Sequence, residues 1–310
     1  MGTHRKRVLI TGAGGFFGRH LCAYLAGVPN RPTVLAADLS SVAPPGCDAF
    51  HAVDLSAPTD VRTLIRLEKP DAIVHLAGRF GTDDPLAVFR ANAASLIAIL
   101  EAVRAEAPHA EILTAGSAAE YGHIDPDRLP VTEETPCRPV TPYGFSKRLA
   151  TEAAVFYHRT YGLSVTVIRP FQLIGRGVTS RLAPGAFAEQ LQELIRAGGG
   201  TIRVGNLDSQ RDFLDVHDAV EATWMLCEKP APGGVFNLCS GRPTRMGDLL
   251  DAMIEASGVP VQVEVDEARL RGAADVSVVY GSHDRLTAHC GWQPRTPLAE
   301  SVRNTLHAPL

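Results

Sequence analysis

The stretch TPYGFSKRLATEA, from Thr141 to Ala153, sets Tyr143 four residues before Lys147 at the start of a helix-like segment. Residues four apart share a helix face, so a phenol and an ammonium would stand side by side. A free phenol ionises near ~10, too high to accept a proton at neutral pH, and a neighbouring cation favours its anion. Such a pair could pass one proton to or from a substrate oxygen. The same spacing also describes an ordinary aromatic beside a surface cation. Chemistry requires a cofactor or an electrophile close by.

A second set of residues lies near the N-terminus. In ITGAGGFFGRHL, Gly12, Gly15 and Gly18 fall between an apolar strand and a helix. Glycines there allow a tight turn, close approach of the backbone to a pyrophosphate, and close helix–strand packing. The helix N-terminus offers free N–H groups to the anion. Glycine clusters also make plain turns, but the strand before and the helix after favour dinucleotide binding. Asp38 ends the next strand, and DLSSVAPP places no arginine after it. A carboxylate there accepts the ribose hydroxyls of NAD(H) and repels a 2′-phosphate; the competing reading is an aspartate facing water. Asp54, in AVDLS, could hold the adenine amino group by the same acceptor logic, or stand beside a helix cap.

These residues need a scaffold, and the pattern of the chain supplies one. Apolar strands are expected at 7–11, 33–38, 50–55, 71–78, 110–117 and 163–170, separated by helices that include 18–27, a long one at 85–106 and the one with Tyr143. Uniformly apolar strands alternating with helices imply a doubly wound parallel sheet, an α/β fold covered on both faces. After Pro170 the pattern loosens into helices at 183–198, 215–229 and 245–258 and strands at 234–241 and 261–265. The expected organisation is a Rossmann dinucleotide-binding domain over 1–170, to which the chain returns at about 213–241, and a smaller α/β substrate lobe over 171–310.

Composition limits the alternatives. Of 310 residues, 45% are hydrophobic and 21% charged, which fits a large core rather than disorder. A net charge of −4 without a basic run argues against nucleic acid as a partner. The six cysteines are scattered with no C-x-x-C pair, so reduced thiols are expected, with no metal, in a reducing cytoplasm. The N-terminus enters a strand without a signal-like apolar stretch, and no segment reads as long and apolar enough to span a membrane.

Taken in order, TGAGGFFG, VHLAG, GSAAEYG, YGFSK, RPFQLIG, RDFLDV and GWQP resemble the extended short-chain dehydrogenase/reductases, the NAD-dependent epimerase/dehydratase family of nucleotide-sugar enzymes, over nearly the whole chain. The resemblance implies that Tyr143 exchanges the proton, that Lys147 favours its phenolate and holds the nicotinamide ribose, and that Ser117 orients the substrate oxygen. It implies that Asn92 ties the active-site strands together; the competing reading is a capping or solvent residue. It implies that NAD also lies against Phe16, Phe17, Leu39, Leu55, Leu76, Ala77, Gly78 and Phe171. Tyr121 has no lysine four residues on and is taken as structural.

Within the family, dehydratases carry an acid just after the catalytic Ser or Thr; here Ala118 and Ala119 follow Ser117, and Glu120 falls on the opposite face of an extended segment. That leaves reduction of a keto sugar, or redox-neutral epimerisation. GSAAEYG, RPFQLIGRG, GNLDSQRDFLDVHDAV and ARLRGAADVSVVYGSHDRL resemble the GDP-4-keto-6-deoxymannose reductases. In that reading Gln172 lies near the nucleotide diphosphate, Arg211 and then Arg271 clamp phosphate, and Arg79 and Phe80 face the reaction centre. Asp38 suits NAD, which epimerases retain, so a 4-epimerase stands close behind; a dinucleotide sensor without turnover is the third reading. A homodimer is expected, because the 85–106 helix is apolar on more than one face, at Val88, Phe89, Leu96, Ile97, Ile99, Leu100 and Val103.

Overall fold

The computed structural model describes residues 5–81, 84–269 and 276–306. Strand β1 (Arg7–Thr11) is buried on both faces at Val8, Leu9 and Ile10, so layers must cover both sides of its sheet. After it come α1 (Phe16–Gly27), β2 (Thr33–Asp38), β3 (Ala49–Ala52), α2 (Pro58–Glu68) and β4 (Ala72–His75). Then follow α3 (Pro85–Phe89), a π-helical turn (Arg90–Ala94), α4 (Ser95–Glu106), β5 (Glu111–Ala115), α5 (Pro142–Tyr161) and β6 (Val165–Pro170).

The remaining elements are β7 (Gln172–Ile174), α6 (Ala183–Ala197), β8 (Gly200–Val204), β9 (Gln210–Asp215), α7 (Val216–Glu228) and β10 (Val235–Leu238). Last come β11 (Pro243–Arg245), α8 (Met246–Ser257), β12 (Val261–Val265), β13 (Val278–Val279), α9 (Asp284–Cys290) and α10 (Leu298–Leu306).

Seven strands form one parallel sheet in the order β10-β6-β5-β4-β1-β2-β3. This is the doubly wound α/β fold. Alternate residues of β1 and β2 serve two cores. Val8, Ile10, Val34 and Ala36 pack with Leu21 and Leu25 of α1 and Trp224 of α7. Leu9 and Leu35 pack with Leu64 and Ile65 of α2, Leu96 and Ile99 of α4, and Ala150 of α5. The strand order reverses between β1 and β4, which opens a crevice at their carboxyl ends, the place where such sheets hold ligands.

Beyond β6, strands β7, β9, β11 and β13 make a second sheet, and β8 pairs with β12. Phe187, Leu191, Ile202, Leu249 and Met253 fill the core between these strands and α6, α8 and α10.

Four expectations change. The helix at 85–106 is not uniform, because the π-helical turn adds slack at Arg90–Ala94 and re-aims Asn92. It is also long and apolar enough, by length and composition, to cross a membrane. Its Leu96, Ile99, Leu100 and Val103 are buried beneath α2 and α5, so its apolarity serves the sheet-covering layer. The third strand ends at Ala52, which leaves Asp54 in the following loop. The fifth ends at Ala115, so Ser117 instead caps a 3₁₀ turn at Ala118–Glu120.

Candidate active site

The glycine loop is built for close approach. Gly12 has φ +69°, and a Cβ there would lie 2.5 Å from the Ala77 nitrogen. A Cβ on Gly18 would lie 2.3 Å from the Gly12 oxygen, so α1 rests directly on the loop. Gly15 is the N-cap of α1 and offers no side chain to its first N–H groups. Those groups remain available to an anion such as a pyrophosphate. Phe17 packs on the first core, while the Phe16 ring meets His20 edge-on at 5.2 Å.

Asp38 turns into this loop. Its Oδ2 accepts the Gly14 N–H at 2.8 Å and its Oδ1 the Ser40 N–H at 2.9 Å. Leu39 beside it is 76% exposed. Leu76 and Ala77 leave β4 against the two cores, and Leu55 is buried in the second. A glycine cradle, an uncapped helix end and a carboxylate at the tip of β2 fit a dinucleotide. Two assigned contacts fare differently. Asp54 is exposed and accepts the Ser56 N–H at 2.8 Å, a bond that holds its carboxyl below the ordinary range. Phe171 is buried in a small core with Tyr121, Val131 and Cys239, and that packing accounts for its ring.

Helix α5 starts cleanly. Thr141 accepts the Gly144 N–H at 3.0 Å, and Pro142 occupies the first turn. A Cβ on Gly144 would lie 2.4 Å from the Ala119 oxygen, so the helix sits tight against the 3₁₀ turn. That contact brings Tyr143 to Ser117, whose side chain favours the phenolate. One turn on, Lys147 is buried and donates to the Ala115 carbonyl at 2.9 Å. Burial lowers its pKa to about 8, against the Glu120 carboxylate, which raises it.

The expected lowering of the Tyr143 pKa is not present in the protein alone. Burial pushes the phenol above its ordinary value, the bond from Ser117 opposes this, and Glu120 adds to the rise. The Lys147 ammonium donates instead to Ala115, and burial together with that cation's charge holds the His75 pKa down to about 3. His75 bonds Thr11 at 2.7 Å, linking β4 to the strand that enters the glycine loop.

Asn92 is fully enclosed by backbone and side-chain partners. Its Oδ1 accepts the Arg79 N–H at 2.7 Å, and its Nδ2 donates to the Arg79 carbonyl at 3.0 Å and to Ser146 Oγ at 2.8 Å. It therefore ties the end of β4 to α5. A Cβ on Gly78 would lie 2.7 Å from Asn92 Oδ1 and 3.2 Å from Lys147 Nζ. Phe80, 38% exposed, meets the Tyr143 ring edge-on at 5.0 Å. Phe80 thus flanks the phenol, while Arg79 is held beside it in the chain by its backbone bonds to Asn92.

The substrate-side residues are less uniform. Gln172 starts β7, and its buried Oε1 has no hydrogen-bond partner among the described residues. Arg211 lies on β9 and donates to the Gln210 carbonyl at 2.8 Å and to that of Ser277 at 3.5 Å, so main-chain oxygens already hold its guanidinium. Arg271 lies outside the described residues. Sequence reasoning passed over Glu120 and Thr151. The S-x-x-E spacing of Ser117 and Glu120 is a capping-box signal that was available.

Comparisons with known proteins agree with this geometry. The profile of the NAD dependent epimerase/dehydratase family matches residues 8–239. The chain is 31% identical to the GDP-6-deoxy-D-mannose reductase of Pseudomonas aeruginosa, over 97% of this chain and 96% of that one. It is 28% identical to the UDP-glucose 4-epimerase of Mycolicibacterium smegmatis, over 97% of each. Among solved structures, RMD from Pseudomonas aeruginosa complexed with NADPH superposes with a TM-score of 0.84 at 31% identity, covering 97% of this chain and 98% of that one.

Proposed function

The chain belongs to the NAD dependent epimerase/dehydratase family, and from that premise we propose that it is an NAD(H)-dependent oxidoreductase reducing the C4 carbonyl of a nucleoside-diphosphate 4-keto-6-deoxyhexose. The observation that carries the reading is the approach of Ser117 to Tyr143 beside a buried Lys147, with Ala118 and Ala119 where elimination would need an acid. The similarity to a GDP-sugar reductase over nearly the whole chain supports the substrate class.

In this reading Ser117 holds the carbonyl oxygen and Tyr143 gives it a proton. NADH, when bound, supplies the hydride for the carbonyl carbon, so hydride and proton together make the alcohol. Lys147 stabilises the phenolate left behind, and Tyr143 regains its proton from solvent. Gly12, Gly15, Gly18 and Asp38 hold the dinucleotide in the 1–170 unit, with the return at about 213–241. The 171–310 unit takes the nucleotide sugar, and the unpartnered Gln172 Oε1 accepts from one of its hydroxyls.

The protein acts in the cytoplasm as a homodimer. One face of the 85–106 helix covers the sheet, with Val88, Leu96, Ile99, Leu100 and Val103 all buried within the subunit. Leu86 and Ile97 remain exposed, as do Phe145, Leu149 and Phe156 on α5. Phe89 and Phe145 meet edge-on at 5.5 Å, which joins the two helices into one apolar surface.

A second reading, a 4-epimerase with retained NAD, is favoured by the Asp38 carboxylate at the glycine loop and by the similarity to a UDP-glucose 4-epimerase. One experiment separates them. Purified protein is denatured and any released dinucleotide identified, and NADH consumption is followed with GDP-4-keto-6-deoxymannose. Stoichiometric NADH loss supports the reductase. Retained NAD with no external demand supports the epimerase. Neither outcome would point to a binding protein without turnover.

A further inference from the structure

Glu120 is fully buried, one turn beyond Ser117. Its Oε1 accepts the Ser117 N–H at 2.9 Å and the Thr151 hydroxyl at 2.9 Å, while its Oε2 accepts Arg169 Nε at 3.0 Å. Space is kept for it: a Cβ on Gly116 would come 2.2 Å from Oε1 and 2.9 Å from Thr151 Oγ1. Arg169, itself buried, donates to the Tyr121 hydroxyl at 3.1 Å, and that hydroxyl donates to Asn237 Oδ1 at 2.6 Å.

One carboxylate therefore joins three elements. Ser117 follows β5, Arg169 lies on β6, and Thr151 lies on α5, one turn beyond Lys147 and two beyond Tyr143 on the same face. A buried ion pair adds little net stability over apolar packing, so the significance of this one lies in what it connects. We infer that Glu120 is a positioning residue that sets the distance between Ser117 and the face of α5 carrying Tyr143 and Lys147, with Arg169 as its fixed counter-ion. This rests on the proton-transfer role proposed for Tyr143.

The consequence is measurable on the phenol itself. The Ser117 bond lowers the Tyr143 pKa, while burial and the Glu120 charge raise it. The charged and titratable groups around Glu120 are Arg169 from β6, Tyr143 and Lys147 from α5, and Tyr121 and Cys137 from the segment between β5 and α5. Thr151→Val cuts the tie to α5 and leaves every one of these charges in place. Gly116→Ala pushes the carboxylate itself aside.

The test is an ultraviolet titration of the Tyr143 phenolate in NAD-loaded protein, taken as the difference from Tyr143→Phe. Thr151→Val loosens Tyr143 from Ser117, so the phenolate forms at higher pH; Thr151→Ser, which keeps the hydroxyl, returns it to the parent position. Gly116→Ala shifts it in the same direction as Thr151→Val. With GDP-4-keto-6-deoxymannose, Thr151→Val lowers kcat by roughly tenfold or more while KM changes little, as expected of a misplaced catalytic group. A folded Thr151→Val protein with an unmoved titration overturns the inference. Absence of turnover by the unmutated protein would count against the reductase and leave the titration to decide this point.

Discussion

Lys147 donates its ammonium to the carbonyl of Ala115, 2.9 Å away, so the helix carrying Tyr143 is tied to the strand end that leads to Ser117. The bond partners a cation that burial has brought down to a pKa of about 8. Lys147→Met breaks it, and both turnover and NAD(H) affinity should fall if, as proposed, the same ammonium serves phenolate and ribose. The pH dependence of stability has a definite sign. Between about 8 and a lysine's ordinary 10.5 the unfolded chain still holds a proton that the folded one has released, so stability from this group rises with pH. Denaturant titrations at two pH values in that window should show the rise in the parent and its loss in Lys147→Met.

Tyr143→Phe removes one hydroxyl and little volume. The ring contact with Phe80 survives, and so does the Lys147–Ala115 bond. Folding and NAD(H) binding should be retained while turnover drops roughly 10²–10⁴-fold, the usual effect of a positioned acid or base. Steady-state kinetics and dinucleotide binding on one sample decide it. Turnover within about threefold of the parent would mean the phenol is not the proton donor.

Asp38→Ala frees the Gly14 N–H and removes the acceptor for the ribose. NAD(H) affinity should weaken roughly tenfold or more, the effect of losing a charged hydrogen-bond partner, and discrimination against NADP(H) should shrink. The competing result is an unmutated protein that uses NADPH as well as NADH, which would remove Asp38 from the basis of selectivity.

The apolar surface across α3, α4 and α5 predicts a dimer in sedimentation velocity. A glutamate at both Ile97 and Phe145 places charge where a partner would bury apolar side chains, and should yield a monomer with an intact fold. A parent protein that sediments as a monomer at all concentrations contradicts the prediction.

What the sequence determined by itself was local. The strand–glycine–helix run of residues 7–27, the four-residue spacing of Tyr143 and Lys147, and the alternation of apolar strands with helices each follow from backbone geometry over one or two turns. That sufficed for the doubly wound sheet and for the candidate residues at its crevice.

The tertiary structure decided whatever depends on which distant groups share a desolvated space. Glu120 looked misplaced by strand alternation, yet a 3₁₀ turn aims it at Thr151 and Arg169. The 85–106 helix is apolar on more than one face, and only the packed structure sorts Val88, Leu96, Ile99, Leu100 and Val103 into the subunit's interior and leaves Ile97 exposed. Charge alone matches Arg211 to phosphate, and only the fold shows that its Nη1 also meets the carbonyls of Gln210 and Ser277. The Tyr143 phenol is raised rather than lowered because burial disfavours a charge more strongly than Ser117 supports it. Burial and long-range partners are properties of the packed chain, and neither residue type nor spacing encodes them.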